Sequence, residues 1–584
     1  MAKIFVSYAR ENAAAAQIVA DALEEAGLEV WWDRHISAGS RFAGEIEAAL
    51  QSADVVLVLW STASIESAWV KDEAAQGVEQ GCLVPALLDG CRPPLGFRQY
   101  QAIDIAGWQS AERPFDALIR VIQTKLSTGK DGSAGSSEPR LQAAARLPIV
   151  FVAPFKNMSP DAEQDYFSDG ITDDVITDLS KVSALAVIPR STAFAHKGQT
   201  IDAKQVALEL GVTHILEGTV RKSATQLRIS VQLIDASTTH NVWAERYDRE
   251  LTDVFEIQDE ISHAIVESLQ LTLLPGERAA IEERATNDTQ AYDIYLKARA
   301  IWLSGKAGDQ RWTDEVVQLC TDATRVDPNY AGAWALLALA EAELRLWHGR
   351  TVDPLVAAER ALAIDPRLPQ PHCARARRFE EQGDDDKCQA AIETALALDD
   401  ISWEANCEAG QALFRRGQVQ KAIPFFEKAA TAMAHDHASA AMLIFCYRAV
   451  GDTAGMQRAA QVAVKRGEVV IVSNPRSGGA FASVASGLAA LGEADRAKRW
   501  IRKALNVDPG NLAMRYSLGS TLVSLLDDAA EGLTVLEPFA EAATLRPHLR
   551  LLELDPGWDS VRANARFLQM LDGARNRVQS LAPR

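Results

Sequence analysis

The spacing of hydrophobic positions changes character along the chain, and each change marks a different architecture. Over residues 1–127, short apolar runs alternate with helix-length stretches. Ile4–Tyr8, Leu28–Trp32, Asp54–Trp60, Leu83–Leu88 and Gln101–Ile105 predict five strands. An alanine-rich helix ending near Gly27 and helices at Phe42–Gln51, Ser67–Gln80 and Ala111–Leu126 are predicted between and after them. Asp54–Trp60 is almost wholly apolar, as a strand covered on both faces must be. Strands alternating with helices predict an α/β fold, a doubly wound, flavodoxin-like parallel sheet.

A stretch rich in Ser, Gly and charge, residues 128–146, reads as a flexible linker. Residues 147–275 then mix the two periods. Strands are predicted at Pro148–Pro154 and Leu185–Pro189. A helix is predicted at Asp169–Leu179, another through Gln205–Leu210 stopping at Gly211. His214–Val220, Gln226–Asp235 and Val242–Arg249 alternate in the manner of antiparallel strands, and Val254–Leu271 is an amphipathic helix. This is an α+β pattern. Asp173, Asp174 and Asp178 are read as a solvated acidic helix face, Gly170 and Gly218 as turn residues, and His214 as a core histidine.

From residue 288 to 584 the pattern is helical, with alanine at packing positions. Asp-Pro recurs at Asp327-Pro328, Asp365-Pro366 and Asp508-Pro509, and Asp399 keeps the place without its proline. The spacings of 38 and 34 residues between Asp327, Asp365 and Asp399 are those of tetratricopeptide repeats, here five to seven helical pairs forming an all-α solenoid. Val469–Ala480, with its Val-Val-Ile-Val run, Pro475 and paired glycines, is expected to break the helical pattern.

Composition narrows the function classes. With 79 acidic against 60 basic residues the formal charge is −19, which argues against a nucleic-acid or anionic-membrane partner. Seven dispersed cysteines without a Cys-x-x-Cys pair read as reduced thiols, with no metal site. The opening residues enter a strand directly, and no window approaches about 18 apolar residues. A cytoplasmic location is the expectation.

Candidate chemistry lies in the first zone. In a sheet of this type, ligands sit beyond the carboxyl ends of the strands where the strand order reverses, between strands one and three. The residues there are Ser7, Tyr8, Ala9 and Arg10 after the first strand, and Trp60, Ser61 and Thr62 after the third. The next helix carries Trp69 and Glu73 four positions apart, hence on one face.

Three segments of this zone resemble the TIR (Toll/interleukin-1 receptor) family. Phe5-Val6-Ser7-Tyr8 resembles its first box, Trp32-Asp33-Arg34-His35-Ile36 through Gly39 its second box and BB loop, and Ser67-x-Trp69-x-x-x-Glu73 the Trp-x-x-x-Glu segment of TIR domains that cleave NAD. The resemblance implies hydrolysis of the nicotinamide–ribose bond, with Glu73 catalytic and NAD+ as substrate; no cofactor is implied. Phe5, Ser7, Arg10, Trp32, Arg34, Ser61 and Trp69 are then expected to bind substrate, although packing is the blander role for Trp69. The loop from Arg34 to Arg41 is expected at the pocket rim and in contacts between TIR domains. Self-association through the TIR domain follows.

The middle zone resembles the TolB/FlgO-type module found between N-terminal signalling domains and tetratricopeptide repeats. The repeats offer surface for a protein partner, and Trp302, Trp312, Trp334 and Trp347 are assigned to packing ahead of partner binding. Two function classes remain open. One is an NAD+ glycohydrolase regulated by assembly and by partner sensing through the repeats. The other is a binding module, either a non-catalytic adaptor that docks other TIR domains or an exported, host-directed effector that interferes with TIR signalling.

Overall fold

The computed structural model describes residues 3–32, 49–50, 52–65, 67–89, 91, 93–94, 97, 102–105, 115–128, 147–161, 164–199, 202–223, 225–306 and 309–581. The chain divides into two compact units, residues 1–143 and 144–584.

In the first unit, β1 (Lys3–Ser7), α1 (Ala13–Glu25), β2 (Glu29–Trp31), β3 (Val55–Trp60), α2 (Ala68–Glu79), β4 (Leu83–Leu87), β5 (Ile103–Asp104) and α3 (Asp116–Thr128) follow one another. The sheet order is β2-β1-β3-β4-β5 and every pairing is parallel. This is the flavodoxin-like order expected, with its reversal between β1 and β3. β3 lies centrally and all six of its residues are buried, which explains its unbroken apolar run. One face packs on α1 and α3 through Val19, Leu23, Leu118 and Ile122. The other packs on α2 through Val70 and Ala74. Ser67 caps α2, its hydroxyl accepting from the Val70 amide at 3.4 Å. The Phe42–Gln51 helix is described only at Ala49–Leu50. Arg34, the loop to Arg41 and the linker beyond Thr128 lie outside the described residues.

The second unit opens with a mixed sheet. Its elements are β6 (Ile149–Val152), β7 (Lys156–Asn157), α4 (Asp165–Ser180), β8 (Ala186–Val187), α5 (Arg190–Ala195), α6 (Ala203–Leu210), β9 (His214–Lys222), β10 (Gln226–Asp235), β11 (Asn241–Glu250), α7 (Val254–Ser268) and α8 (Pro275–Glu282). The order is β11-β10-β9-β6-β8, with β7 beside β9. β9, β10 and β11 are antiparallel, whereas β6 runs parallel to β8 and β9. In β10, Leu227, Ile229, Val231 and Leu233 are buried and alternate with Arg228, Ser230 and Gln232, the period of a strand with one wet face. Gly211 closes α6 in the left-handed region, at φ 66°.

The repeats comprise α9 (Thr289–Ile301), α10 (Gln310–Val326), α11 (Ala331–His348), α12 (Leu355–Ile364), α13 (Gln370–Gln382), α14 (Asp385–Leu398), α15 (Trp403–Arg415), α16 (Val419–Ala432), α17 (His437–Val450), α18 (Thr453–Ser473), α19 (Gly478–Ala490), α20 (Ala494–Val507), α21 (Leu512–Ser524) and α22 (Ala529–Ala542). These make seven successive pairs among the described residues, followed by α23 (Arg546–Leu554) and α24 (Ala565–Leu581). The Asp-Pro steps sit at the helix ends: Asp327, Asp365 and Asp508 cap α10, α12 and α20. α23 returns to earlier repeats, packing on α13 and α15. There the His548 ring nitrogen lies 2.8 Å from the Leu346 carbonyl, and Arg550 donates to Asp385 at 2.6 Å.

Several expectations are corrected. Val469–Ser473 is helical, forming the last turn of the 21-residue α18, and Gly478-Gly479 open α19 behind the Ser477 cap. The weak helix propensity of β-branched residues is outweighed once a long helix is nucleated and buries Gly467 and Val470. Gly170 and Gly218 are not turn residues. Gly170 lies within α4, where a Cβ would stand 2.4 Å from Leu296 Cδ1, and Gly218 lies in β9, where it would stand 2.6 Å from the Phe155 ring. Both permit close packing. His214 is only half-buried, its Nδ1 2.9 Å from the Thr213 hydroxyl. The acidic face of α4 is not solvated either: Asp173 pairs with Arg190 and Arg299, Asp178 with Lys181, and Asp174 accepts from Tyr292 and Gln258. It faces the first repeat helix. Trp302 is buried against Trp403, the rings 6.4 Å apart, as packing required.

Candidate active site at the reversal of strand order

The residues at the carboxyl ends of β1 and β3 form a polar patch on an otherwise apolar sheet. Ser7 ends β1 and is 1% exposed. Its hydroxyl makes no hydrogen bond of ordinary geometry, yet it faces the Glu73 carboxyl closely enough to influence its ionisation. Glu73 sits midway along α2, partly buried. Burial lifts its pKa from the usual 4.5 to about 7; Ser7 opposes the shift and neighbouring Asp72 adds to it. A carboxyl so perturbed, beside the last residue of β1 at the reversal of strand order, is a candidate functional group.

Ser61 follows β3 and is equally buried, but its hydroxyl is committed. It donates to Asn12 Oδ1 at 2.6 Å, while the Ser61 amide donates to Ser64 Oγ at 2.7 Å. Asp89, after β4, accepts from the Thr62 amide and hydroxyl at 2.9 and 3.0 Å. Sequence reasoning missed Asn12, Ser64 and Asp89. The Ser-Thr-Ala-Ser run after β3 was the available sign, since such residues bond to local backbone. Together these bonds tie the segments that follow β1, β3 and β4 to one another.

The other expected site residues divide. Arg10 is exposed in the single turn after β1. Trp69 is 53% exposed one turn before Glu73, so it is not a packing residue. Phe5 and Trp32 are not brought to Glu73 by any described contact. Phe5 stacks on Trp31 with centroids 5.0 Å apart and borders an open cavity of about 440 Å³ at the amino ends of the strands. Trp32 is buried beside Tyr8, 6.2 Å between rings. A large aromatic in a strand or at its end is more readily a core residue. No group of His, Cys, Asp and Glu among the described residues is arranged to hold a metal.

Comparison with known proteins agrees with the fold of the first unit. Residues 4–119 match the TIR domain family model, and the chain therefore carries an N-terminal TIR domain. Residues 149–264, read from sequence as TolB/FlgO-like, match the model of the HilA/YgeH-like transcriptional regulator, second domain. A curated relative, "Putative adenylate cyclase 3" of Rhizobium meliloti (strain 1021), is 41% identical over 258 residues, 42% of this chain and 43% of that protein. The chain thus spans under half the length of that relative. Solved structures with some likeness include the human IFIT1 dimer with PPP-AAAA (14% identity, 56% of this chain and 76% of that one, TM-score 0.33). PilF of Pseudomonas aeruginosa gives 19% identity, 36% of this chain, 91% of that one and a TM-score of 0.26. Lipoprotein GNA1162 of Neisseria meningitidis gives 16%, 21% of this chain, 98% of that one and 0.17. The helical pairs and Asp-Pro punctuation define the C-terminal region as a solenoid of tetratricopeptide type. No helix among the described residues is long and apolar enough to cross a membrane.

Proposed function

We propose that the TIR domain hydrolyses NAD+ at the nicotinamide–ribose bond, with Glu73 as the catalytic carboxylate. The observation that carries this reading is the placement of Glu73: half-buried on α2, facing Ser7, at the reversal of strand order. The C1′–N1 bond breaks with its electron pair passing to nicotinamide, which leaves neutral. Positive charge then develops on the ribose. A carboxylate held in a poorly hydrated crevice stabilises that charge more strongly than water would. The leaving group needs no proton, so the acid partner of ordinary glycosidases is not required. A water adds oxygen to C1′ and loses a proton, giving ADP-ribose; attack by a group of the same nucleotide gives a cyclic product instead.

A carboxyl with a pKa near 7 is half neutral at neutral pH. The cationic nicotinamide ring of bound substrate favours its ionised form, so binding itself prepares the site. Arg10 and Trp69, exposed near the crevice, are available to the phosphates and to the ring. Arg34 and the loop to Arg41 belong to this reading as the rim and as the contact between TIR domains. The middle module and repeats act as the sensing and assembling body for a protein partner, and cleavage should increase when heads cluster. The test is nicotinamide release from NAD+ by the full chain, with and without a crowding agent, against Glu73→Ala. Full-rate cleavage by dispersed monomers contradicts the assembly element. Equal release by Glu73→Ala contradicts the catalytic assignment.

A further inference from the structure

β11 ends one side of the middle sheet, and its outer edge is bare. Its main packing partners are β10 and α7, and among the described residues no strand pairs with its far side. Eight of its ten residues are exposed. A long open edge is a template for another strand, and natural sheets blunt such edges with charge. β11 carries Glu245, Arg246, Asp248, Arg249 and Glu250. The order of their signs does more than blunt the edge.

The direction of the free backbone groups follows from the bonds on the paired side. The Leu251 amide donates to the Thr225 carbonyl at 2.9 Å, in the register that sets Arg249, Tyr247 and Glu245 opposite Leu227, Ile229 and Val231. Bonded positions alternate along an antiparallel pair, so those three residues of β11 turn their N–H and C=O groups to β10. On the other side of β10 the Ser223 amide donates to the Gln226 carbonyl at 2.8 Å, which gives the same alternation. Ala244, Arg246, Asp248 and Glu250 therefore turn their backbone groups outward.

A second copy of β11 can meet that edge antiparallel, about a two-fold axis. With the axis at Tyr247, Arg246 stands opposite Asp248 of the second copy, and Asp248 opposite its Arg246, both as hydrogen-bonded pairs on the wet face. On the α7 face Glu245 stands opposite Arg249, and Arg249 opposite Glu245. Four opposite-sign pairs result and no like-sign pair. Moving the axis one residue either way sets Arg246 against Arg246, or Asp248 against Asp248. Opposite charges facing across strands favour pairing and like charges oppose it, so one register is selected. The side chains have capacity left for these partners. No ion pair engages Arg246 among the described residues. Arg228 holds Asp248 at 2.5 Å through Oδ2, which leaves Oδ1, and Arg249 reaches only Glu260, at 3.8 Å. We propose that β11 pairs with β11 of a second copy about Tyr247, joining two middle sheets into one. Two chains so joined carry two TIR domains, so this edge is a route to clustering separate from TIR contacts. The pairing does not depend on NAD+ cleavage.

The test uses the full chain. Arg246→Cys and Asp248→Cys are mildly oxidised, each alone and as an equimolar mixture. Hydrogen-bonded strand partners stand about 5.5 Å apart at Cα, within reach of a disulfide. The mixture should give a linked dimer whose disulfide, mapped by mass spectrometry, joins 246 to 248. Each variant alone should give about tenfold less linked dimer, because its own cysteines stand on the longer diagonal. Sedimentation velocity then reads the charges. Arg246→Asp and Asp248→Arg, each shown folded by circular dichroism, should weaken self-association by about tenfold. Mixing these two should restore it, because each meets opposite signs in the other. A mixture of the cysteine variants that gives no more linked dimer than either alone overturns the proposal. So does a mixture of the charge variants that associates no more tightly than either alone.

Discussion

Asp174 on α4 and Tyr292 on α9, 118 positions apart, are joined by a hydrogen bond in which the phenol donates to the carboxylate. The Gln258 amide of α7 donates to the same oxygen at 2.9 Å. One carboxyl thereby ties the middle module to the first repeat helix. Burial raises its pKa to about 7, against Tyr292; Asp173 and Asp178 add to the rise. The folded value lies above the unfolded one, so ionisation costs stability. The cost is absent below about pH 4 and grows as pH rises through 7. Asp174→Asn keeps an acceptor for Tyr292 without the charge. In thermal unfolding it should match the parent near pH 4 and exceed it at pH 8 by about 1 kcal/mol. Asp174→Ala should lose about 1–3 kcal/mol at every pH, because two buried donors lose their acceptor.

Gly170 is a close-packing position. Alanine there would drive its methyl into Leu296, 2.4 Å from Cδ1. Gly170→Ala should cost about 1–3 kcal/mol in denaturant unfolding of the second unit. In a Leu296→Ala background the same substitution should cost much less, and a double-mutant cycle measures that coupling.

Arg415 is 3% exposed and donates to Glu380 at 2.9 Å and Glu408 at 3.2 Å, while Arg377 and Arg550 approach the same carboxylates. Arg415→Met leaves two buried acids short of a cation. It should destabilise the repeats by about 3–5 kcal/mol. Chemical denaturation monitored by the repeat tryptophans is the measurement.

Legibility in the sequence followed the strength of the local signal. β3 and β10 were read to within one residue because their patterns, continuous burial and strict alternation, each admit one solution. Ser67 before α2 and Gly211 after α6 were readable as a helix cap and stop. Val469–Ser473 was misread because β-branched residues carry strand propensity, while their helical state is decided by the sixteen preceding residues of α18. The α4 carboxylates were misread for a related reason. Asp178 has a near partner in Lys181, but Arg299 and Tyr292, which hold Asp173 and Asp174, are more than a hundred positions away, and no periodicity reveals them. At the candidate site, Glu73 was marked by its spacing from Trp69 and by the boxes around it. Asn12 and Asp89, which hold the loops, carry only short-range polar signals.

The pKa of Glu73 carries its own prediction. If the ionised form is needed, kcat/KM for NAD+ should rise with pH through about 7 and level above it. The same burial makes the charge costly to the fold, and the cost is lost as pH falls from 7 toward 4.5. Glu73→Gln should therefore unfold at a higher temperature than the parent at pH 8, by about 1 kcal/mol in stability, with the gap closing toward pH 4.5.

The most direct measurement is nicotinamide release, followed by chromatography, from NAD+ incubated with the full chain and with Glu73→Ala, each with and without a crowding agent. The isolated 1–127 fragment runs beside them once circular dichroism shows it folded. The account predicts release by the parent, stronger under crowding, and none by Glu73→Ala. Absence of release from both the full chain and the folded fragment would contradict it and leave the TIR domain as a docking module.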